Sequence, residues 1–258
     1  MIQLSVVIIT YNEEKNLERC IISLKDIADE IIIVDSNSTD RTVAIAEEHG
    51  AKVFQKPFMG YGEQKNYANS LATNDWVLSL DADEALTPEL RASITKMKNN
   101  PQFDVYEMAR LTKYCGQWIK HSGWYPDHQT RLYNRTRGRW IEKRVHEYWE
   151  HTDKEYKKGL LDGDMLHYSF SSISEHLKKI DKYSDLGAQE AVANNKDVTL
   201  MKLFFSPLWH FLHEYFFRLG FLDGFYGYMI CKLSAYAAFC KCSKIRYYYR
   251  QKHNIKQA

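Results

Sequence analysis

Proline and glycine are scarce, 5 and 12 of 258 residues, which excludes a collagen-like repeat and a Pro/Gly-rich low-complexity chain. At 45% hydrophobic and 26% charged residues, the chain is too apolar for intrinsic disorder. Its length suits one large domain, or a domain with an appendage of about 50 residues. The five cysteines (Cys20, Cys115, Cys231, Cys240, Cys242) form no C-x-x-C pair, so neither a zinc ribbon nor a disulfide framework is expected, and a reduced cytoplasmic protein is. No apolar run reaches the ~20 residues of a membrane span. The greasiest stretch is cut by His213, Glu214, Arg218, Asp223, Lys232 and Lys241. No basic flank precedes the short run Leu4 to Ile9, and Tyr11-Asn12-Glu13-Glu14 follows at once, so no secretory signal is expected.

The formal charge of +2 conceals an asymmetry, because residues 201–258 hold nine Lys or Arg against two acids. The same 58 residues carry sixteen of the aromatics, which number 18 Tyr, 12 Phe and 6 Trp in the whole chain. A basic, greasy end suits an anionic membrane surface more than nucleic acid.

Residues 4–83 alternate between two periods. Leu4-Ser5-Val6-Val7-Ile8-Ile9 reads as a strand buried on both faces, and Leu17, Cys20, Ile21 and Leu24 repeat at helical spacing. Ile31 to Val34 is a second strand stopping at Asp35, and Val43 to Glu48 a short helix ended by Gly50. Val53-Phe54 is a third strand, 63–72 a helix, and Trp76 to Leu80 a fourth strand stopping at Asp81. Strands and helices alternating on short connections predict an α/β fold with a mainly parallel sheet covered by helices on both faces. Thr87-Pro88-Glu89 opens another helix. From about 103 to 167, Tyr, Trp, Gly and Arg punctuate strands and loops; helical spacing returns at 173–194 and from 200 to about 242, with a break near Gly220.

Ligands of such a sheet sit beyond the carboxyl ends of its strands. Three polar clusters fall there: Thr10-Tyr11-Asn12-Glu13, Asp35-Ser36-Asn37-Ser38 and Asp81-Ala82-Asp83. Asp81 and Asp83, one residue apart at a strand end, can share Mg²⁺ or Mn²⁺, which takes hard oxygen ligands and completes its shell with substrate phosphates; two solvated acids capping a turn are the alternative. Asp35 can hold a base or ribose, while Asp40 suffices to cap the helix that follows. The acidic segment after the first strand argues against a nucleotidyltransferase, which needs a Gly-rich basic loop for a triphosphate.

These segments carry a resemblance. Ser5-Val-Val-Ile-Ile-Thr-Tyr-Asn-Glu-Glu, Ile33-Val-Asp-Ser-Asn-Ser-Thr-Asp, Gly60-Tyr-Gly-Glu-Gln-Lys-Asn-Tyr-Ala and Leu80-Asp-Ala-Asp-Glu-Ala resemble the nucleotide-sugar half of family 2 inverting glycosyltransferases of the GT-A, Rossmann-like fold. Trp124-Tyr-Pro-Asp-His-Gln-Thr-Arg-Leu-Tyr, Arg144-Val-His-Glu, Leu166-His-Tyr-Ser-Phe and Gly220-Phe-Leu-Asp-Gly resemble a narrower group, the bacterial lipopolysaccharide-core glucosyltransferases. The resemblance implies a GT-A domain over 1–199, with a nucleotide-sugar half at 1–100 and an acceptor half at 101–199, followed by a hydrophobic, basic helical extension at 200–258. It implies a nucleoside site at Thr10, Tyr11, Asn12, Glu13 and Asp35, and a sugar or diphosphate site at Gln64, Lys65 and Asn66. Asp81 would meet ribose or metal-bound water, Asp83 the Mn²⁺ or Mg²⁺ itself, and His167 would add a metal contact. It implies UDP-glucose as donor and a lipid-linked surface glycan as acceptor.

An inverting transfer needs one carboxylate base opposite the diphosphate. Glu147 stands in the family's position, although His146 precedes it where an acid pair is usual, and Asp127 is its rival. Arg131, Arg135, Arg137, Arg139 and Arg144 could meet an anionic acceptor or form a charged hairpin surface. The 200–258 extension, with Lys241, Lys244, Arg246, Arg250 and Lys252 beside Tyr247-Tyr248-Tyr249, suits either the inner face of the cell membrane, with the protein peripheral there, or packing on the catalytic domain or a second subunit. A carbohydrate-binding or scaffold protein that keeps the fold without turnover is the alternative function.

Overall fold

The computed structural model describes residues 1–142 and 147–253. The chain opens with β1 (Leu4–Thr10), α1 (Leu17–Ile22), β2 (Glu30–Asp35), α2 (Thr42–Glu48), β3 (Lys52–Gln55), α3 (Tyr61–Leu71) and β4 (Trp76–Asp81). It continues through β5 (Glu84–Leu86), α4 (Pro88–Asn99), β6 (Val105–Tyr114), β7 (Gln117–Trp118), β8 (Asp127–Asn134), β9 (Gly138–Glu142), β10 (Glu147–His151) and β11 (Lys158–Phe170). The remainder is helical: α5 (Ile173–Ala193), α6 (Leu200–Leu212), a π-helical turn His213–Phe217, a 3-10 turn Gly220–Asp223 and α7 (Gly224–Lys252).

Two compact units result. Residues 1–111 and 126–168 form the first, and residues 112–125 and 169–253 belong to the second. Residues 169–199, grouped with the acceptor half in the sequence reading, thus cluster with the C-terminal helices.

The sheet of the first unit runs β3-β2-β1-β4-β8-β6-β11-β5. Its β3-β2-β1-β4 part is parallel, as expected of strands joined by helices. Beyond β4 it is mixed, because β4–β8, β6–β8 and β5–β11 pair antiparallel. The mainly parallel sheet predicted from the sequence therefore stops at β4. Side chains of β1 alternate between two cores. Leu4, Val6 and Ile8 meet α1, α2 and α4 through Leu17, Cys20, Ala46, Leu90 and Ile94, and each fully buried Leu or Ile contributes about 1.5–3 kcal/mol. Val7 joins Ala68 of α3 and Trp140 and Trp149 of the antiparallel β9–β10 hairpin on the other face. At α4 the Thr87 hydroxyl accepts from Leu90 N and Pro88 fills the first turn, as its sequence predicts.

In the second unit α5 and α7 share a core of Ala188, Val192, Val198, Cys242 and Ile245. Tyr114, Ile119 and Ile230 form another. The basic residues expected to face lipid are partly committed here. Lys244 Nζ donates to Asp181, Arg246 Nη1 to the Val198 carbonyl, and Lys252 Nζ to the Val192 carbonyl and Asn195. Among the described residues no helix is long and apolar enough to cross a membrane.

Candidate active site

Parallel pairing sets Thr10 beside Asp35 and Ile9 beside Asp81, so the ends of β1, β2 and β4 share one rim. Asp35 is fully buried and accepts from Thr10 Oγ1 at 2.9 Å, Ser38 N at 2.8 Å and Ser38 Oγ at 2.5 Å. Its carboxylate therefore shapes the loop after β2. Asn12, at φ 54°, donates its backbone N–H to Ser38 Oγ and accepts from Thr39 N. The Glu13 N–H donates to Thr42 Oγ1, and Tyr11 stands exposed on the same loop. Asp40 accepts from Thr42 N and Thr42 Oγ1, but Arg41 occupies the N-cap of α2, so Asp40 stands one residue before the capping position the sequence suggests.

The three polar residues of α3 face different ways. Gln64 is buried and donates to Ser36 Oγ and the Lys56 carbonyl, while its Oε1 is buried without a partner. Both amide atoms of Asn66 are taken by the Trp140 backbone, so Asn66 fastens α3 to β9. Lys65 is fully buried, with Nζ 2.8 Å from Glu147 Oε1, 3.2 Å from Asp81 Oδ1 and 4.7 Å from the Trp140 ring centre.

Lys65 is one link of a chain of alternating charge. Asp81 also accepts from Arg131 Nη2 at 2.7 Å, and that atom donates to Glu84 Oε1 at 2.7 Å. Glu84 Oε2 accepts from the Asp81 N–H, and Arg110 stands 3.9 Å from Glu84 while donating to Asp127 Oδ2 at 2.6 and 2.9 Å. Glu147 and Asp127, the rival bases, are the two ends of this chain. Burial alone would raise the Asp81 carboxyl, but Arg131 and Lys65 outweigh it and hold it far below the usual carboxylate range. At Glu147 burial also opposes the charge, and Lys65 prevails to keep the carboxyl below its ordinary value.

Asp81 and Asp83 have different partners. Asp81 is clamped by two cations, whereas Asp83 Oδ2 meets His167 Nε2 at 3.3 Å. Among the described residues no three His, Cys, Asp or Glu side chains form a group that could hold a metal. Asp83 and His167, 3.3 Å apart, nevertheless carry the carboxylate oxygen and imidazole nitrogen that a divalent cation would take, with substrate phosphate and water to complete its shell.

A cavity of about 980 Å³ opens against the β9–β10 hairpin, lined by Glu147, Trp140, Trp149, His128, Gln129 and Lys158 among others. Asp127 is not among its lining residues; its Oδ1 accepts from Gln129. Arg131 is buried with Asp81 and Glu84, not turned to an acceptor, and Arg135 donates to the Asn74 carbonyl. Arg139 lines the cavity, while Arg144 and His146 lie outside the described residues. The sequence reading missed Arg110 and Glu84 as site residues; Glu84 carries a signal only as the residue following the Asp81-x-Asp83 pair.

A parallel half-sheet whose carboxyl edge gathers these groups, extended by antiparallel strands that carry a cavity, defines an α/β protein of the GT-A type. The chain belongs to glycosyl transferase family 2, whose model matches residues 5–154. It is 36% identical over 255 residues to an uncharacterised glycosyltransferase of Rickettsia typhi, covering 95% of this chain and 87% of that protein. It is also 31% identical over 261 residues to the lipopolysaccharide core biosynthesis glycosyltransferase LpsC of Rhizobium meliloti, covering 98% of this chain and 94% of that one. Residues 1–349 of S. aureus TarS, solved with UDP-GlcNAc, share the fold at a TM-score of 0.51 and 17% identity, covering 98% of this chain and 92% of that one.

Proposed function

We propose that this glycosyltransferase moves glucose from UDP-glucose, with inversion, to a lipopolysaccharide-core or related lipid-linked surface glycan at the inner face of the cell membrane. One observation carries the reading: Glu147 lines the large cavity and is joined through buried Lys65 to Asp81 at the donor rim. An acceptor hydroxyl in the cavity would lose its proton to Glu147 as its oxygen attacks the anomeric carbon and the bond to the diphosphate oxygen breaks on the opposite side. The likeness to LpsC over most of both chains supports a lipopolysaccharide-type acceptor.

The loops carrying Thr10, Tyr11, Asn12, Glu13 and Asp35 would hold the nucleoside, with Asp35 acting through the loop it organises and exposed Tyr11 offering a ring to the base. Asp83 and His167 would hold Mn²⁺ or Mg²⁺, which when bound supplies positive charge to the leaving diphosphate. Titration calorimetry of UDP-glucose and other nucleotide sugars, with Mn²⁺ and with chelator, tests donor and metal together. UDP-glucose should bind tightly only with the cation, and Asp83→Ala should remove that dependence. Equal affinity in chelator would refute the metal role.

A further inference from the structure

The second unit displays a large apolar surface in an unexpected place. Met201, Phe204, Phe205, Leu208 and Trp209 follow the i, i+3, i+4, i+7, i+8 spacing of a stripe that ordinarily faces a core, yet all five are exposed. On the opposite side of α6, Leu203 packs against the core shared by α5 and α7, and at the flank of the stripe the Phe211 ring packs edge-on against Tyr228 of α7 with centroids 6.0 Å apart. The display continues past α6 with Phe216, Phe217, Leu219, Phe221, Leu222 and Phe225. Six of these rings (Phe204, Phe205, Trp209, Phe216, Phe217 and Phe225) are more than half exposed. At roughly 200 Å² a ring, they expose roughly 700 Å² of aromatic surface in total, a concentration that single scattered surface apolar residues do not reach.

This display is held rigidly. Leu219 adopts the left-handed φ of 55°, and a Cβ on Gly220 would lie 2.7 Å from both Cys231 Sγ and Ser122 Oγ. Asp223 accepts from the backbone N–H of Lys120 and His121, closing the turn from beneath. A bulky residue in a strained conformation, backed by glycine contacts, keeps leucine and phenylalanine pointing outward.

Charge identifies the occupant. Between residues 200 and 225 the acids are Glu214 and Asp223. Asp223 is buried, and burial pushes the Glu214 carboxyl up to about 7, so the protonated form is substantially populated at neutral pH. The cations of the same segment, Lys202 and Arg218, are exposed. A face with its acids withdrawn and its cations outward complements anionic headgroups, and its aromatics suit the headgroup–acyl boundary. A second copy would bring like charges to the rim of the patch.

We propose that α6 and the turns up to Phe225 form an in-plane docking element that seats the protein on an anionic bilayer, which narrows to one element the role the sequence suggested for the whole 200–258 extension. It rests on the proposed lipid-linked acceptor only for which membrane is met. The test uses the full chain in flotation with phosphatidylcholine vesicles with and without phosphatidylglycerol, beside the variant F204S/F205S/W209S, whose three sites are exposed. Wild type should float with the anionic vesicles, and the variant should lose about tenfold or more in affinity. Lipids brominated near the headgroup should quench Trp209, a signal that W209F removes. Equal flotation of variant and wild type would overturn the proposal. So would a wild-type dimer that the variant abolishes while neither binds vesicles, the outcome expected of a contact between copies. UDP-glucose calorimetry on both proteins reads the donor site separately, so failure there leaves the docking result standing.

Discussion

Glu147 and Asp127 illustrate how contacts divide two carboxylates that the sequence sets up as rivals, with Glu147 in the family's position. Asp127 is held by two Arg110 nitrogens and by Gln129, while Glu147 has one buried lysine and a cavity before it. Glu147→Gln should leave donor affinity nearly intact and lower turnover by about two to four orders of magnitude. Asp127→Asn should retain most turnover; the reverse pattern in steady-state kinetics would exchange their roles. Lys65 then sets the working range of the base. Because Lys65 keeps the Glu147 carboxyl below its ordinary value, the wild-type carboxylate stays ionised into acid, and activity falls only as pH drops through that lowered value. Lys65→Met removes the opposing charge, so the acid limb of the kcat/KM profile should move to higher pH; an unmoved limb would mean Lys65 does not act on the base. The same variant should lose about 1–3 kcal/mol in urea unfolding, since the buried ammonium goes but both carboxylates are partly exposed. Above the unfolded carboxyl value the pair contributes in full, and below it the contribution fades as Glu147 takes up a proton. Asp81, Glu147 and Lys65 were each named from the sequence as candidate site residues, and the structure brings them together. Their mutual pairing was not, because strand ends show which residues share a rim but not which side chains turn toward each other.

Elements with a strong period were the readable ones. β1, β2 and β4 declare themselves as continuous apolar runs, and α4 by Thr87 and Pro88, because burial on both faces and capping leave marks within a few residues. β5 is three residues long, too short for any period, yet it delivers Glu84 to Arg131. The π-helical turn after α6 was equally hidden, since nothing in His-Glu-Tyr-Phe-Phe distinguishes a five-residue π turn from one more turn of α-helix. Two of the three glycines that follow, Gly220 and Gly227, are crowded by the 3-10 turn and its neighbours. A Cβ on Gly227 would sit 2.0 Å from the Gly220 carbonyl oxygen, and one on Gly220 would meet Cys231 and Ser122 side chains. Gly227→Ala should therefore destabilise the protein by about 1–3 kcal/mol or more in urea unfolding, the range of an overpacked core site. Gly224→Ala is a weaker control for crowding, because nothing lies within 4 Å of its Cβ position, although its φ of 61° carries its own strain.

Across the molecule, charge placement separates the carboxylates: of Glu147, Glu150 and Asp153, which line the cavity, Glu147 is tied through Lys65 to Asp81, the placement the proposed single displacement needs. A retaining double displacement needs a second nucleophile free to bond the anomeric carbon. Asp81 and Glu84 are clamped by Arg131, Asp127 by Arg110, and Asp35 is buried among the donors of its own loop. Glu147 differs from these four in lining the cavity with one cation at its back, the arrangement the proposed base needs. A nucleotide sugar with an α-linked diphosphate should then give a β-glycoside. Proton NMR of the product reads this directly, because a gluco- or galacto-configured β-anomer shows a large axial–axial coupling at the anomeric proton and the α-anomer a small one. The same product formed by Glu147→Gln at its reduced rate should keep the β-configuration, since loss of the base slows attack without changing its face. An α-linked product from wild type would require a nucleophile that this charge network does not release, and would overturn the inverting mechanism while leaving the family membership in place.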